Sequence, residues 1–583
     1  MKRAALVWCL ALNLAGGAPA GARQAPQGGA APAGAFGESV DVDLVSIEVF
    51  VFDREGHSVR GLKQQDFKVT DDGKPVEISH FVAMEETPAP RARQGPAATA
   101  PPPSPASGQP AAPPQASNEQ RLDLAVLVDN LTLVPASRNR VLQAVRAFLS
   151  SHLSSRDRVL VASYDRSLRI VQEPTTDRQA ALAAIDEVTK GSAGGFERDT
   201  DLRQIDRKIA QAAAGGRDAP YLRTQAYDDI RSYAQKSFDE TRAALETLTR
   251  FVDGLSGLPG RKALLYLSGG IDLHPGQAMY DTYRSQFSSN TVSRADLARG
   301  GGTALESREL DVTPLLRRVA EHANASRVTF YTLSAEEDIS GRGAETATAT
   351  NWSLNAGTEK MNRQESLRRL ADDTGGTAGL DLNNPSSFLA QMQSDLESYY
   401  SLGYPSPHPH DGKLHKVKIA TRDGSLRLRH REQYLDRTGS EHIRDLTVST
   451  LLFGVQDNPL GLAVNLLAER PDRKGQVELD LLVKVPMSRV VLLPRRGSHD
   501  GQLTIYVASR GRDGRTSDVS KIEVPVRVPE QQWQAAASQV VAYRARVRVR
   551  AEETDLAIGL RDELGKAEST LRVKYVPTGT ARK

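Results

Sequence analysis

The chain has 583 residues, with 75 Lys+Arg against 72 Asp+Glu and a formal net charge of +3. That balance excludes the concentrated basic excess of a nucleic-acid binder, and the length calls for roughly three or four hydrophobic cores. Cys9 is the only cysteine, which excludes a disulfide framework.

At the N-terminus, Lys2 and Arg3 precede an apolar run from Ala4 to Ala15 broken only by Asn13. Small residues then offer cleavage points at Ala18-Pro19-Ala20 and Ala20-Gly21-Ala22. Basic, apolar, small is the order of a secretory signal over 1–22. The apolar run is shorter than the about 20 residues of a spanning helix, and no later stretch approaches that length. The expectation is a secreted or periplasmic protein with no integral membrane segment after signal cleavage. Cys9 leaves with the signal, so the mature chain lacks thiolate metal sites and cysteine nucleophiles.

Residues 23–39, rich in Ala, Gly, Pro and Gln, read as a disordered tether, and the Pro/Ala-rich stretch 87–119 as an extended linker. Between them, 40–86 alternates apolar and polar residues around turns at Asp53 to Gly56 and Asp71-Asp72-Gly73, the pattern of a small antiparallel β domain. From 120 to 395 the pattern changes to buried strands alternating with helices. Apolar strands fall at 124–128, 159–164, 263–267 and 328–333, and helices at 137–153, 177–188, 238–255, 312–325 and 364–374. Such alternation predicts an open, doubly wound α/β sheet, interrupted by polar insertions near 190–237 and 272–308. Residues 396–437 read as antiparallel strands returning to the sheet edge or to the small N-terminal domain. From 438 to 583 alternating runs predict a C-terminal antiparallel β-sandwich.

Four stretches carry a resemblance. They are Gly61-Leu62-x-x-x-Asp66-Phe67-x-Val69-x-Asp71-Asp72-Gly73, the strand end from Leu124 to Asn130, Leu370-Ala371-x-x-Thr374-Gly375-Gly376, and Ser398-Tyr399-Tyr400-x-Leu402-Gly403-Tyr404. Together they resemble the secreted bacterial von Willebrand factor A-related proteins. The resemblance implies a von Willebrand A-like (Rossmann-type) sheet with its ligand crevice at the carboxyl ends of the central strands. It also implies a divalent cation there (Mg, Mn or Ca), held by an Asp-x-Ser-x-Ser loop, a threonine and a second Asp, because such ions need several oxygen ligands. Asp129 stands at the first aspartate position and Thr200 at the loop threonine. Leu131 and Leu133 replace the serines, and Ser268-Gly269-Gly270 replaces Thr-Asp-Gly. The adhesion site is therefore degenerate and the expectation is no cofactor, with Asp129 capping the following loop or helix.

Asp129, Asn130, Thr132, Ser268 and Asp272 are the residues expected to line the crevice. Of His274, His408, His410 and His415, the last three lie in a Pro-rich loop and read as solvated. They lack the i, i+4 spacing with a glutamate that marks a helical metal motif. No nucleophile elbow, phosphate loop or dinucleotide fingerprint stands at a strand-to-helix junction. In 540–550, Arg544, Arg546, Arg548 and Arg550 share one strand face, expected to be balanced by acidic neighbours. The expected function is a non-catalytic binding protein that takes an extracytoplasmic protein partner. The alternatives are a structural component of an envelope assembly and a hydrolytic enzyme with a site in the α/β crevice.

Overall fold

The computed structural model describes residues 44–85, 121–152, 154, 156–258, 260–287, 310–335, 349–380, 384–408, 411–472 and 475–577. The expected signal with Cys9, the tether, the linker and His410 lie outside the described residues.

Four strands open the described chain: β1 (Leu44–Phe52), β2 (Phe67–Asp71), β3 (Lys74–Val76) and β4 (His80–Glu85). The turn between β2 and β3 places Asp72 and Gly73 at positive φ, the geometry that an Asp-Gly pair supplies in a tight hairpin.

The α/β body follows. Its strands are β5 (Leu122–Asp129), β6 (Arg158–Tyr164), β7 (Leu168–Thr175), β8 (Arg261–Ser268), β9 (Val328–Ser334) and β10 (Thr377–Gly379). They form one six-stranded sheet in the order β10-β9-β8-β5-β6-β7, parallel except for β7, which runs antiparallel to β6. Every residue of β5, β8 and β9 is buried, because helices cover both faces. On one face Leu124, Val126 and Val128 pack with α1 (Pro135–Ser151) and α2 (Arg178–Lys190). On the other, Ala125, Leu127, Leu264 and Tyr266 pack with the later helices. Asp177 starts α2 by accepting the backbone N–H groups of Gln179 and Ala180.

The insertion near 190–237 is helical. It comprises α3 (Gly195–Ala213) and the first half of α4 (Ala219–Ser256). These join α5 (Gln277–Phe287), within the second insertion, around a separate apolar cluster that includes Leu202, Ile205, Ile230, Tyr233 and Tyr280. The body is completed by α6 (Thr313–Ala325), α7 (Ala349–Asp373) and α8 (Pro385–Glu397).

The next strands are β11 (Ser398–Pro405), β12 (Leu414–Thr421), β13 (Arg427–His430) and β14 (Gln433–Leu435). They return to the N-terminal strands and build two antiparallel sheets, β13-β1-β11-β4 and β14-β12-β2-β3. Ile47 stands opposite Leu402, and Val49 opposite Tyr400. Both sheets bury side chains in one core that includes Ile47, Val69, Leu402, Tyr404 and Val417. Neither chain segment makes this body alone.

Beyond 438 the chain begins with a helix that the alternation gives no hint of, α9 (Gly439–Phe453). Thr438 and Glu441 form its capping box, and Gly454 ends it in the left-handed conformation. The strands after it are β15 (Ala463–Pro471), β16 (Gln476–Pro486), β17 (Leu493–Arg495), β18 (Ser498–Gly511), β19 (Ser520–Pro529), β20 (Val540–Arg550), β21 (Thr554–Asp562) and β22 (Glu568–Tyr575). They form one antiparallel sheet β15-β16-β20 and another in the order β17-β18-β21-β22, with β19 paired to β18. Both contribute to a single apolar core. Three of the four arginines on the exposed face of β20 meet carboxylates. Arg546 meets Asp480 at 3.3 Å, Arg548 meets Asp472 at 2.9 Å, and Arg550 meets Asp513 at 2.7 Å. Among the described residues no helix is long and apolar enough to cross a membrane.

Candidate functional site

Asp129 ends the buried strand β5 and is 3 % exposed. Its Oδ1 accepts the backbone N–H of Leu131 at 3.2 Å. Its Oδ2 accepts the hydroxyls of Thr132 and Ser268, both at 2.9 Å, and of Tyr266 at 3.0 Å. The two smaller hydroxyls are themselves acceptors: Thr132 Oγ1 takes the N–H of Gly269 at 2.9 Å, and Ser268 Oγ takes that of Gly270 at 3.0 Å. The result is a knot tying the loop after β5 to the loop after β8. Glycine is required there, since a Cβ at Gly269 would stand 2.7 Å from the Thr132 carbonyl oxygen and one at Gly270 2.5 Å from that of Arg363. Burial raises the Asp129 carboxyl above the usual carboxylate range, and the hydrogen bonds from Ser268, Thr132 and Tyr266 oppose it. Among the described residues, a cavity of about 10 Å³ adjoins Asp129, walled by Tyr164, Leu168, Phe251 and Tyr266.

The other residues expected at the crevice divide between neighbouring networks. Asn130 is buried and accepts from the Arg138 guanidinium at 3.1 Å, while Arg138 also donates to the carbonyls of Thr189 and Ser192. Asp272 accepts the N–H of His274 at 3.1 Å and the side-chain amide of Asn362 at 3.3 Å, so its ties run to α7 and not to Asp129. Burial raises its carboxyl and the nearby Arg363 charge lowers it. Thr200 is exposed within α3, on a helix and not in a ligand loop.

A much roomier concavity among the described residues lies elsewhere. A cleft of about 950 Å³ opens between α4 and α6 of the α/β body and α9 with the 513–519 turn of the C-terminal body. Thr247, Val448, Leu451 and Val519 contribute to its wall. Within it, His322 Nδ1 lies 2.6 Å from Asp253 Oδ1, and Arg437 lies 3.2 Å from Asp445. The Asp253 hydrogen bond raises the His322 pKa, with burial opposing. Asp445 is pushed up to about 6, chiefly by burial, with Arg437 opposing. Sequence reasoning missed this cleft because its walls come from segments some two hundred residues apart. The helices at 238–255 and 312–325 were legible, and the Thr438–Glu441 capping pair is the local signal that could have marked α9.

The histidines also differ from expectation. His415 is 5 % exposed and stacks on His408 with ring centres 3.8 Å apart, beside Asp71 and Asp72. The acids that draw these rings inward precede them in sequence by more than three hundred residues, so no local spacing signals the group.

No protein family model and no curated protein matches the chain. Among solved structures, it is similar to von Willebrand factor type A from Catenulispora acidiphila, at 10% identity over 79% of this chain and 67% of that one, with a TM-score of 0.20. It is also similar to three N-terminal domains of the type V pili tip protein Mfa5 from Porphyromonas gingivalis, at 8% identity over 91% and 76%, with a TM-score of 0.23.

Proposed function

We propose that this is an exported, non-catalytic binding protein that takes a polypeptide segment of an extracytoplasmic partner. In this reading the α/β body is a von Willebrand A-like domain with a degenerate adhesion site, and the C-terminal body is a β-sandwich docked beside it. The partner binds in the cleft between them, without a cation at Asp129. The observation that carries the reading is the contrast in space: about 10 Å³ beside an Asp129 that already receives four donors, against about 950 Å³ in the cleft. The cleft offers apolar surface from Leu414, Leu435 and Val448 and charges of both signs from Arg250, Arg444 and Glu321, a mixture suited to a peptide chain. A hydrolytic role would need a nucleophile or activated water at His322, and among the described residues its ring is hydrogen-bonded to the Asp253 carboxylate and to no hydroxyl.

The test is site-specific photocrosslinking in the full chain, with the crosslinker at Thr247 and, separately, at the Asp129 loop. Capture of one defined partner from Thr247, lost in Val448→Glu and retained in Asp129→Asn, is the expected result. Capture from the Asp129 loop that Asp129→Asn abolishes would move the binding surface back to the strand ends.

A further inference from the structure

In the N-terminal body, Asp71 and Asp72 end β2 and enter its hairpin turn, while His415 stands on the paired strand β12 and His408 on the loop before it. One ligand atom from each of the four lies within 4.8 Å of the others. We infer that Asp71, Asp72, His408 and His415 form a structural binding site for a divalent transition metal, Zn²⁺ foremost, that fastens the N-terminal strands to the return segment. This inference does not depend on the cleft.

The four donor atoms already converge. The His408 and His415 rings, however, stack nearly parallel with centres 3.8 Å apart, so the loop-borne His408 ring turns to bring its Nε2 lone pair to an ion in the plane of His415. His408 Nε2 lies 3.6 Å from Asp71 Oδ1 and 3.5 Å from Asp72 Oδ2. Metal bonds of about 2.0–2.2 Å place tetrahedral ligand atoms roughly 3.3–3.6 Å apart, so these separations match the edges of a zinc tetrahedron. His415 Nδ1 stands closer to Asp72 Oδ2, at 2.8 Å, and opens by about half an ångström on binding. Two imidazole nitrogens with two carboxylate oxygens suit Zn²⁺ over Mg²⁺ or Ca²⁺, which prefer all-oxygen shells of six or more.

Two observations point to a cation and not merely to a polar cluster. Asp71 has a fully buried side chain, and its Oδ2 is held by the hydroxyls of Tyr404 at 3.0 Å and Tyr434 at 2.7 Å. That clamp aims Oδ1 at His408, where it is buried and accepts no hydrogen bond. A buried carboxylate oxygen left so is costly, and a metal ion removes the cost. Second, the far nitrogen of His415 meets Asp411 Oδ1 at 3.0 Å. A carboxylate behind a histidine fixes the proton on that nitrogen and leaves the other as a ligand, the usual outer-shell arrangement of zinc histidines. His408 is positioned by its own backbone N–H, which donates to Ser406 Oγ at 3.1 Å.

The test uses the untagged full chain, stripped with chelator and titrated with Co²⁺ and then Zn²⁺. Expected are one Co²⁺ per chain with the intense visible bands of a tetrahedral ion, displacement by Zn²⁺, and a rise in Tm with Zn²⁺ but not Mg²⁺. His408→Gln and His415→Gln each weaken binding at least about tenfold. His408, 27 % exposed on a loop, is the variant that leaves the metal-free fold intact, which its unchanged metal-free Tm verifies. A folded wild-type chain that takes up neither ion, or uptake equal in both variants, overturns the site. His415 would then be an imidazolium shared by Asp72 and Asp411.

Discussion

The Arg261 guanidinium carbon lies 4.0 Å from the centre of the Tyr399 ring. The contact joins the start of β8 in the α/β sheet to the start of β11 in the N-terminal body. The same guanidinium donates to the carbonyl of Leu396 at 3.0 Å and to the Glu48 carboxylate on β1 at 3.2 Å. Arg261 is 6 % exposed, so removing it strands Glu48 and buried carbonyls together. Arg261→Ala should cost about 3 kcal/mol. Arg261→Lys should recover only part, because an ammonium cannot stack on the ring and bridge both partners. Urea unfolding of both variants measures the difference.

The Asp129 knot gives a second prediction. Asp129→Ala leaves the hydroxyls of Thr132, Tyr266 and Ser268 without their shared acceptor and should lower stability by about 3 kcal/mol. Mg²⁺ should leave the wild-type Tm unmoved. A cation-induced rise in Tm that Asp129→Ala abolishes would show that the carboxylate serves an ion and not the hydroxyls.

Asp445 should impose a pH dependence. Its carboxyl titrates at about 6 in the fold against 3.8 when unperturbed, within a group comprising Arg437, Asp253, Ser256 and His442. The native state thus holds a proton that the unfolded chain has lost, and its stabilisation is present below 3.8 and fades as pH rises to about 6. His322, also raised, loses its contribution as pH climbs further, above 6.5. Asp445→Asn should flatten the lower window and leave the upper one, as read from urea midpoints across pH.

The capping box of α9 is separable from its packing. Thr438→Ala removes the acceptor for the Glu441 N–H and should cost about 1 kcal/mol, while Thr438→Ser should cost far less. Thermal unfolding of the pair checks the sign and the order.

The α/β strands were legible wherever burial on both faces made the run continuously apolar, as in 124–128 and 263–267. β7 was not, because Arg169, Gln172 and Glu173 interrupt an edge strand that one face leaves partly exposed. α3 was hidden in a polar insertion since its apolar residues, Leu202, Ile205 and Ile209, fall among charges and find their partners on α4 and α5. Asp129 and Ser268 were named from the strand-end positions, but Tyr266, which donates to the same carboxylate, was not, because its strand pattern reads only as core. His415 looked solvated because its two carboxylate partners are set by the fold: Asp72 pairs across strands, and Asp411 lies four residues back on an irregular loop.

Strand β1 sits between β11 and β13, and neither of its neighbouring strands comes from its own end of the chain. It finishes at Phe52, whereas β11 begins at Ser398. At roughly 5–20 residues per second, its first partner emerges from the ribosome on the order of tens of seconds later. Through that interval Ile47, Val49 and Phe50 can only wait as unpaired chain, and a nascent polypeptide stopped anywhere before β11 never closes the body. The delay leaves the leading segment without a fold of its own until the whole α/β body has been synthesised.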